Sequence, residues 1–297
     1  MASDDAGVAQ AIESIAFVGA GGSMGLPMAR NLARAGFEVR AWDRSPDKAE
    51  PLAEDGARVA RTVDQALDGA GALVTMLVDA DAIAETLGEG ALGHLRDGAV
   101  WIQMSTVGVE GTDRLGDMAA EAGIVFVDAP VLGTTQPAAD AELVVLGSGP
   151  DEVRERVQRV IDALGKKTLW VGEAGTGTRL KLVTNAWLVA VVEGAAEAIV
   201  LAEALGLDPR RLLEAVEGGP LDMPYLELKA TAMIEQKFEP SFRLALAAKD
   251  ARLAEEAAAL HGADLPMLEL IRRRLEEGAE HHGDEDIAAT YLTSAEA

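Results

Sequence analysis

Between residues 15 and 146 the chain repeats one pattern, a short run of apolar and β-branched residues followed by a stretch with helical periodicity. The runs cover residues 15–18, 38–42, 72–77, 100–103, 125–128 and 143–146. Runs this short and continuously apolar suit strands buried on both faces, and the helix-like stretches between them suit the crossovers that parallel strands require. The pattern predicts an α/β fold built on a doubly wound, mostly parallel sheet.

From about Arg179 the strand pattern stops, and Ala, Leu, Glu and Arg recur at helical spacing to about Glu280. A length of 297 residues suits two domains of ordinary size. The expected division is an N-terminal extension over 1–13, an α/β domain over 14–178 and an all-α helical domain over 179–297, parted at the glycine-rich turn 172–178. Ser45-Pro46 and Asp208-Pro209 each read as a cap before a first-turn proline. Residues 180–205 are long enough to span a bilayer. Lys181, Glu193, Glu197 and Glu203 interrupt them, so the segment reads as a long, mostly buried helix of a soluble domain. After His281 a short acidic, solvated end is expected.

The first strand runs into Gly19-Ala20-Gly21-Gly22-Ser23-Met24-Gly25 and then a helix. Glycine is required where backbone turns tightly and approaches a pyrophosphate, which the amides and dipole of the following helix N-terminus attract. Gly19, Ala20, Gly21, Ser23, Met24 and Gly25 are therefore candidate dinucleotide contacts. Asp43, at the end of the second strand, suits an adenosine ribose 2′-hydroxyl; Arg44 and Ser45 beside it suit a 2′-phosphate. Asp43 favours NAD and Arg44 favours NADP, so the cofactor expected is NADP or NAD.

The net charge is −24, from 50 acidic and 26 basic residues. Such a surface repels nucleic acid and anionic membranes, so neither is expected as a partner. The same excess repels an anionic cofactor or substrate, which gives weight to the few basic residues inside motifs. Cysteine is absent, which excludes disulfides, thiolate metal sites and cysteine nucleophiles and suits the cytoplasm. His94, His261, His281 and His282 lack paired-ligand spacing, and no metal is expected.

Several segments, in chain order, resemble the β-hydroxyacid dehydrogenase family. Residues 19–32 resemble its opening fingerprint, with one more residue between Gly21 and Gly25 than the usual spacing. Ser105-Thr106 resembles the pair near the nicotinamide. Asp128-Ala129-Pro130-Val131-Leu132-Gly133 resembles the substrate-binding segment, with Leu132 where that segment has serine; Gly133, Thr134 and Thr135 then offer the remaining polar contacts. Residues 175–185 resemble the catalytic motif, and Lys249-Asp250 the cofactor-side motif. Residues 136–138 and 224–242 are similar to the glyoxylate/succinic semialdehyde reductase branch.

The resemblance implies a Rossmann domain followed by an all-helical domain. It implies hydride exchange between nicotinamide and a small hydroxy acid or its aldehyde, in a homodimer or homotetramer. Carbonyl reduction also needs a proton donor, and a catalytic lysine works best near neutrality with its pKa lowered toward ~7–8. Lys181 is the expected acid/base. Asn185, four residues on and on the same helical face, is its expected partner in orienting substrate. Thr106 and Lys249 are assigned to the cofactor; Leu132, Gly133, Thr134 and Phe242 are assigned to the substrate. An imine reductase-like enzyme and a non-catalytic dinucleotide-binding protein are the alternatives, and Lys181 argues against both.

Overall fold

The computed structural model describes residues 11–295, so most of the extension expected over 1–13 lies outside the described residues. The chain divides into two compact units, Met1–Lys181 and Leu182–Ala297, parting inside the helix Thr176–Ala204.

In the first unit, β1 (Ser14–Val18), β2 (Glu38–Trp42), β3 (Arg58–Val59), β4 (Ala72–Thr75), β5 (Val100–Gln103) and β6 (Val125–Asp128) form one parallel sheet in the order β3-β2-β1-β4-β5-β6. Strand order reverses between β1 and β4, and the resulting crevice at the strands' carboxyl ends is where open α/β sheets bind ligands. Side chains alternate along β1. Ile15 and Phe17 join one core with Met28 and Leu32 of the helix Gly25–Arg34. Ala16 and Val18 join a second core with Leu73, Trp101 and Leu115. Trp101 meets Phe126 edge to face with centroids 5.3 Å apart. Two cores on one sheet are what cover both faces of its apolar strands.

The run at 143–146 does not extend this sheet. It forms β8 (Leu143–Gly147), flanked by β7 (Val131–Leu132), antiparallel, and β9 (Gly165–Trp170), parallel, in a separate three-stranded sheet. Only Ala129 and Pro130 separate β6 from β7. No crossover fits in two residues, so the chain leaves the parallel sheet there. β9 escaped the sequence pattern because Lys166 and Lys167 are exposed along it, as suits a sheet edge. The pairing of β4 ends at Thr75, two residues before the expected end of its run.

The second unit is helical: most of Thr176–Ala204, then Arg210–Val216, Pro224–Ile234, Leu244–Leu260, Pro266–His282 and Thr290–Ala295. Its core includes Val189, Val192, Ile199, Leu244, Leu275 and Ile287. Glu193, also buried, accepts from Arg274 Nε at 2.8 Å and from the Thr290 hydroxyl. By length and composition alone the Thr176–Ala204 helix is long and apolar enough to cross a bilayer. The ion pair of Glu193 with Arg274 ties it to the other helices of its unit.

Three expectations are corrected. The long helix is not mostly buried, since Val183, Trp187 and Leu201 are exposed. Ser45 does stand at the N-cap of the helix Pro46–Ala49, with the proline in its first turn, although its side chain makes no capping hydrogen bond. The helix after Asp208 begins at Arg210, and Asp208 Oδ1 accepts from the Arg210 amide at 3.0 Å. The acidic end is not a solvated tail, because Asp286, Ile287, Ala288, Ala289 and Tyr291 are all buried.

Candidate active site

Of the cofactor candidates, Gly21, Asp43 and Ser45 form one hydrogen-bonded group. Asp43 Oδ2 accepts from the Gly21 amide and Oδ1 from the Ser45 amide, each at 2.9 Å. A carboxylate has lone pairs for about four bonds, so two remain for a diol. Arg44 beside it is exposed. Gly19, at φ +94°, and Gly25 hold the turn shut: a Cβ on Gly25 would lie 1.9 Å from the Gly19 carbonyl oxygen. By contrast, a Cβ on Gly22 would meet nothing nearer than 3.4 Å. The helix that follows has no acidic residue in its first turn and no side-chain cap on its leading amides. Glycine turn, uncapped helix start and acid at the end of β2 fit a dinucleotide at the β1/β4 crevice.

Ser105 is buried and structural. Its hydroxyl accepts from the Leu77 amide at 2.8 Å, and its own amide donates to Gln103 Oε1 at 2.7 Å. Those bonds join the loops after β4 and β5 and set the position of the half-buried Thr106. In the substrate-side segment, Leu132 ends β7 half-buried and Thr134 precedes the helix Thr135–Ala139. Gly133 has φ +130°, and a Cβ there would come within 2.7 Å of Leu143 Cδ2, so a side chain is excluded.

Asp128, at the end of β6, is fully buried. Its Oδ2 accepts from the Thr178 amide at 2.7 Å and its Oδ1 from the Thr178 hydroxyl at 2.8 Å; the Ser148 hydroxyl lies 3.2 Å from Oδ2. Burial pushes the carboxyl up to about 6, against the lowering by the Thr178 and Ser148 donors. The signal in the sequence was a lone acid closing the apolar run Val125-Phe126-Val127, but the run does not say what the acid binds.

Lys181 closes the first compact unit and Asn185 lies four residues on along the same helix, in the second. Asn185 is buried, and its Nδ2 donates to Asp250 Oδ2 at 2.7 Å. Lys249 Nζ lies 3.0 Å from Asp250 Oδ1, with both side chains largely buried, so the pair is not a solvent-facing one. Sequence reasoning singled out Asp250 for its neighbour and missed its bond to Asn185.

Phe242 sits half-buried in the loop before Leu244–Leu260. That loop is held by Asp286, whose Oδ2 accepts from the Ser241 amide and hydroxyl at 2.9 Å each and from the Phe242 amide at 3.2 Å. Lys229 Nζ lies 2.6 Å from Asp286 Oδ1. Burial pushes the Asp286 carboxyl up, but Lys229 and the amides of Ala288 and Ser241 outweigh it and hold it below the usual range. The apolar residues 287–289 after it were the one hint that this acid is not a surface residue.

The model of the NAD binding domain of 6-phosphogluconate dehydrogenase matches residues 14–172, and that of the NAD-binding region of NADP-dependent 3-hydroxyisobutyrate dehydrogenase matches residues 175–293. The chain is 38% identical to an uncharacterized oxidoreductase of Bacillus subtilis, over 93% of this chain and 97% of that one. It is 34% identical to the chloroplastic glyoxylate/succinic semialdehyde reductase 2 of Arabidopsis thaliana, over 81% of this chain and 68% of the relative. The solved structure of Mycobacterium tuberculosis 3-hydroxyisobutyrate dehydrogenase with L-serine superposes with a TM-score of 0.87 at 30% identity, covering 95% of this chain and 99% of that one. With two family models matched in order and relatives aligned over nearly its whole length, the chain belongs to the β-hydroxyacid dehydrogenase family of NAD(P)-dependent oxidoreductases.

Proposed function

We propose that the chain interconverts a small hydroxy acid and its semialdehyde or keto acid, with Lys181 as acid/base. The nicotinamide, when bound, supplies or accepts the hydride. In the reducing direction Lys181 Nζ gives a proton to the carbonyl oxygen; in the oxidising direction it takes one from the hydroxyl. Asn185 orients the substrate, with its amide rotamer set by Asp250. Gly133 and Thr134 offer backbone and hydroxyl contacts to the substrate carboxylate, Leu132 and Phe242 contact its carbon chain, and Thr106 and Lys249 serve the cofactor.

The observation that carries this reading is the pairing of Lys181 with Asn185 one helical turn on, the second of them buried and held by Asp250. A buried amide held by one oxygen of a carboxylate has a defined orientation, which suits a group that positions substrate. Residues 136–138 and 224–242 incline the substrate toward glyoxylate and succinic semialdehyde, as the name of the Arabidopsis relative does. Exposed Val183 and Trp187, four apart on one helix, support a homodimer or homotetramer. The absence of cysteine supports a cytoplasmic location.

The test is cofactor oxidation with a panel of semialdehydes and keto acids. Lys181→Ala should lower kcat by roughly 10³-fold or more while NAD(P)H still binds, since it removes the proton donor and leaves the glycine turn intact. Full activity in that variant defeats the acid/base assignment, and no turnover of any panel member by the unaltered enzyme defeats the substrate class.

A further inference from the structure

The helix that carries Lys181 follows a residue that has no side chain with which to cap it. That residue, Gly175, has φ +91°, and the first turn of the helix contains no acid. The opening amides of any helix lack intrahelical acceptors and need partners from elsewhere when they are buried. Here two of them are met from other elements. The Gly177 amide donates to Ser148 Oγ at 2.9 Å, and the Thr178 amide donates to Asp128 Oδ2 at 2.7 Å, across fifty residues of chain.

The fastening is tight. The Thr178 hydroxyl donates to the other Asp128 oxygen at 2.8 Å, so the carboxylate grips both donors of one residue, and the Thr112 hydroxyl lies 3.1 Å from the Thr178 hydroxyl. A Cβ on Gly177 would lie 2.3 Å from the Leu146 carbonyl oxygen, so the first turn rests directly on the strand ends. Lys181 follows Thr178 by three residues, within one turn. All of these residues lie in the first compact unit.

We propose that Asp128 is a positioning residue for Lys181, setting where the lysine stem leaves the helix by clamping Thr178 through amide and hydroxyl together. The proposal rests on the reading of Lys181 as acid/base. A carboxylate suits the place because the helix dipole favours negative charge at its N-terminus. Accuracy here matters to rate more than to binding, since proton transfer needs reacting atoms within hydrogen-bond reach, and small misplacements are costly in catalysis. Asp128 itself is buried, with both oxygens committed to Thr178 and Ser148, so its removal should act on the helix start rather than directly on cofactor affinity.

The experiment compares Asp128→Ala, Asp128→Asn, Thr178→Val and Lys181→Ala in the full chain, measuring kcat, KM, NAD(P)H affinity by fluorescence and thermal unfolding. Asp128→Ala should lower kcat by at least ~30-fold with KM and cofactor Kd within about threefold. Asp128→Asn can still accept from the Thr178 amide through its oxygen while its NH2 donates to the Thr178 hydroxyl, and it should recover most of that loss. If Asp128→Ala does not fold, Thr178→Val decides, with a loss in kcat of about fivefold at unchanged KM expected. Unchanged kcat in the folded variants overturns the proposal, as does a loss in which KM and Kd worsen in step with kcat. An inactive Lys181→Ala beside a fully active Asp128→Ala removes only the positioning role, whereas an active Lys181→Ala removes the reading beneath it.

Discussion

Asn185 Nδ2 donates to Asp250 Oδ2 at 2.7 Å, and this bond fixes which end of the buried amide is committed. With the NH2 turned toward Asp250, the Asn185 carbonyl oxygen is the end that points away from it and can only accept. Removing either partner strands a buried polar group, at about 1–3 kcal/mol. Asp250→Ala and Asn185→Ala should each lower kcat/KM by about tenfold or more, and the double variant should be little worse than either alone, because the two act as a unit. Additive losses in that double-mutant cycle would show that they act separately.

The glycine turn gives a contrast between neighbours. Gly25→Ala puts a methyl 1.9 Å from the Gly19 carbonyl oxygen, whereas Gly22→Ala meets nothing within 3.4 Å. Gly25→Ala should weaken NAD(P)H binding more than ~10-fold, and Gly22→Ala should leave the turn's shape intact and cost far less. Fluorescence titration of the two variants reads this directly, and equal losses would contradict it.

Asp43 binds the Gly21 and Ser45 amides and carries a charge that a 2′-phosphate would meet. Asp43→Asn should raise the affinity for NADPH relative to NADH by about tenfold, through lost repulsion of the phosphate beside Arg44. An unchanged ratio of the two dissociation constants would place the adenosine ribose elsewhere.

Lys229 and Asp286 are a buried ion pair whose acid also holds Ser241 and the Phe242 amide. Breaking such a pair from one side costs about 3–5 kcal/mol. Lys229→Ala should therefore lower Tm by roughly 10 °C or more, with KM rising as the Phe242 loop loosens. A Tm within a degree of the unaltered protein would mean that the pair contributes nothing net.

Asp128 makes stability depend on pH in a direction opposite to most paired acids. Its folded carboxyl is raised to about 6 from an ordinary 3.8, so between those values the folded state binds more protons than the unfolded one. Stability from this group is therefore lost as pH rises from about 4 to about 6, by about 3 kcal/mol in all. Asp128→Asn has no such charge to bury. The difference in unfolding free energy between the variant and the unaltered protein should move toward the variant as pH rises across that window. A difference independent of pH, measured by denaturant unfolding, would contradict it.

The sequence by itself determined the parallel sheet, the helical second half and the glycine turn, because each rests on local grammar: runs of apolar residues, helical periodicity, and glycines where backbone has no room for a side chain. It also placed Lys181 and Asn185 one turn apart, since helical spacing is enough to do so. The tertiary structure decided what those residues are fastened to. Asp128 reaches Thr178 across 50 residues and Asp250 reaches Asn185 across 65, and no local pattern encodes such pairings. The same reason explains the errors. The run at 143–146 has the composition of a central strand, but the two-residue link from β6 to β7 sends the chain into another sheet. Asp286 has the neighbours of a surface tail, but Lys229 on a distant helix supplies the charge that lets it be buried. Burial of a polar group depends on the partner that folding brings to it, and only the folded chain contains that information.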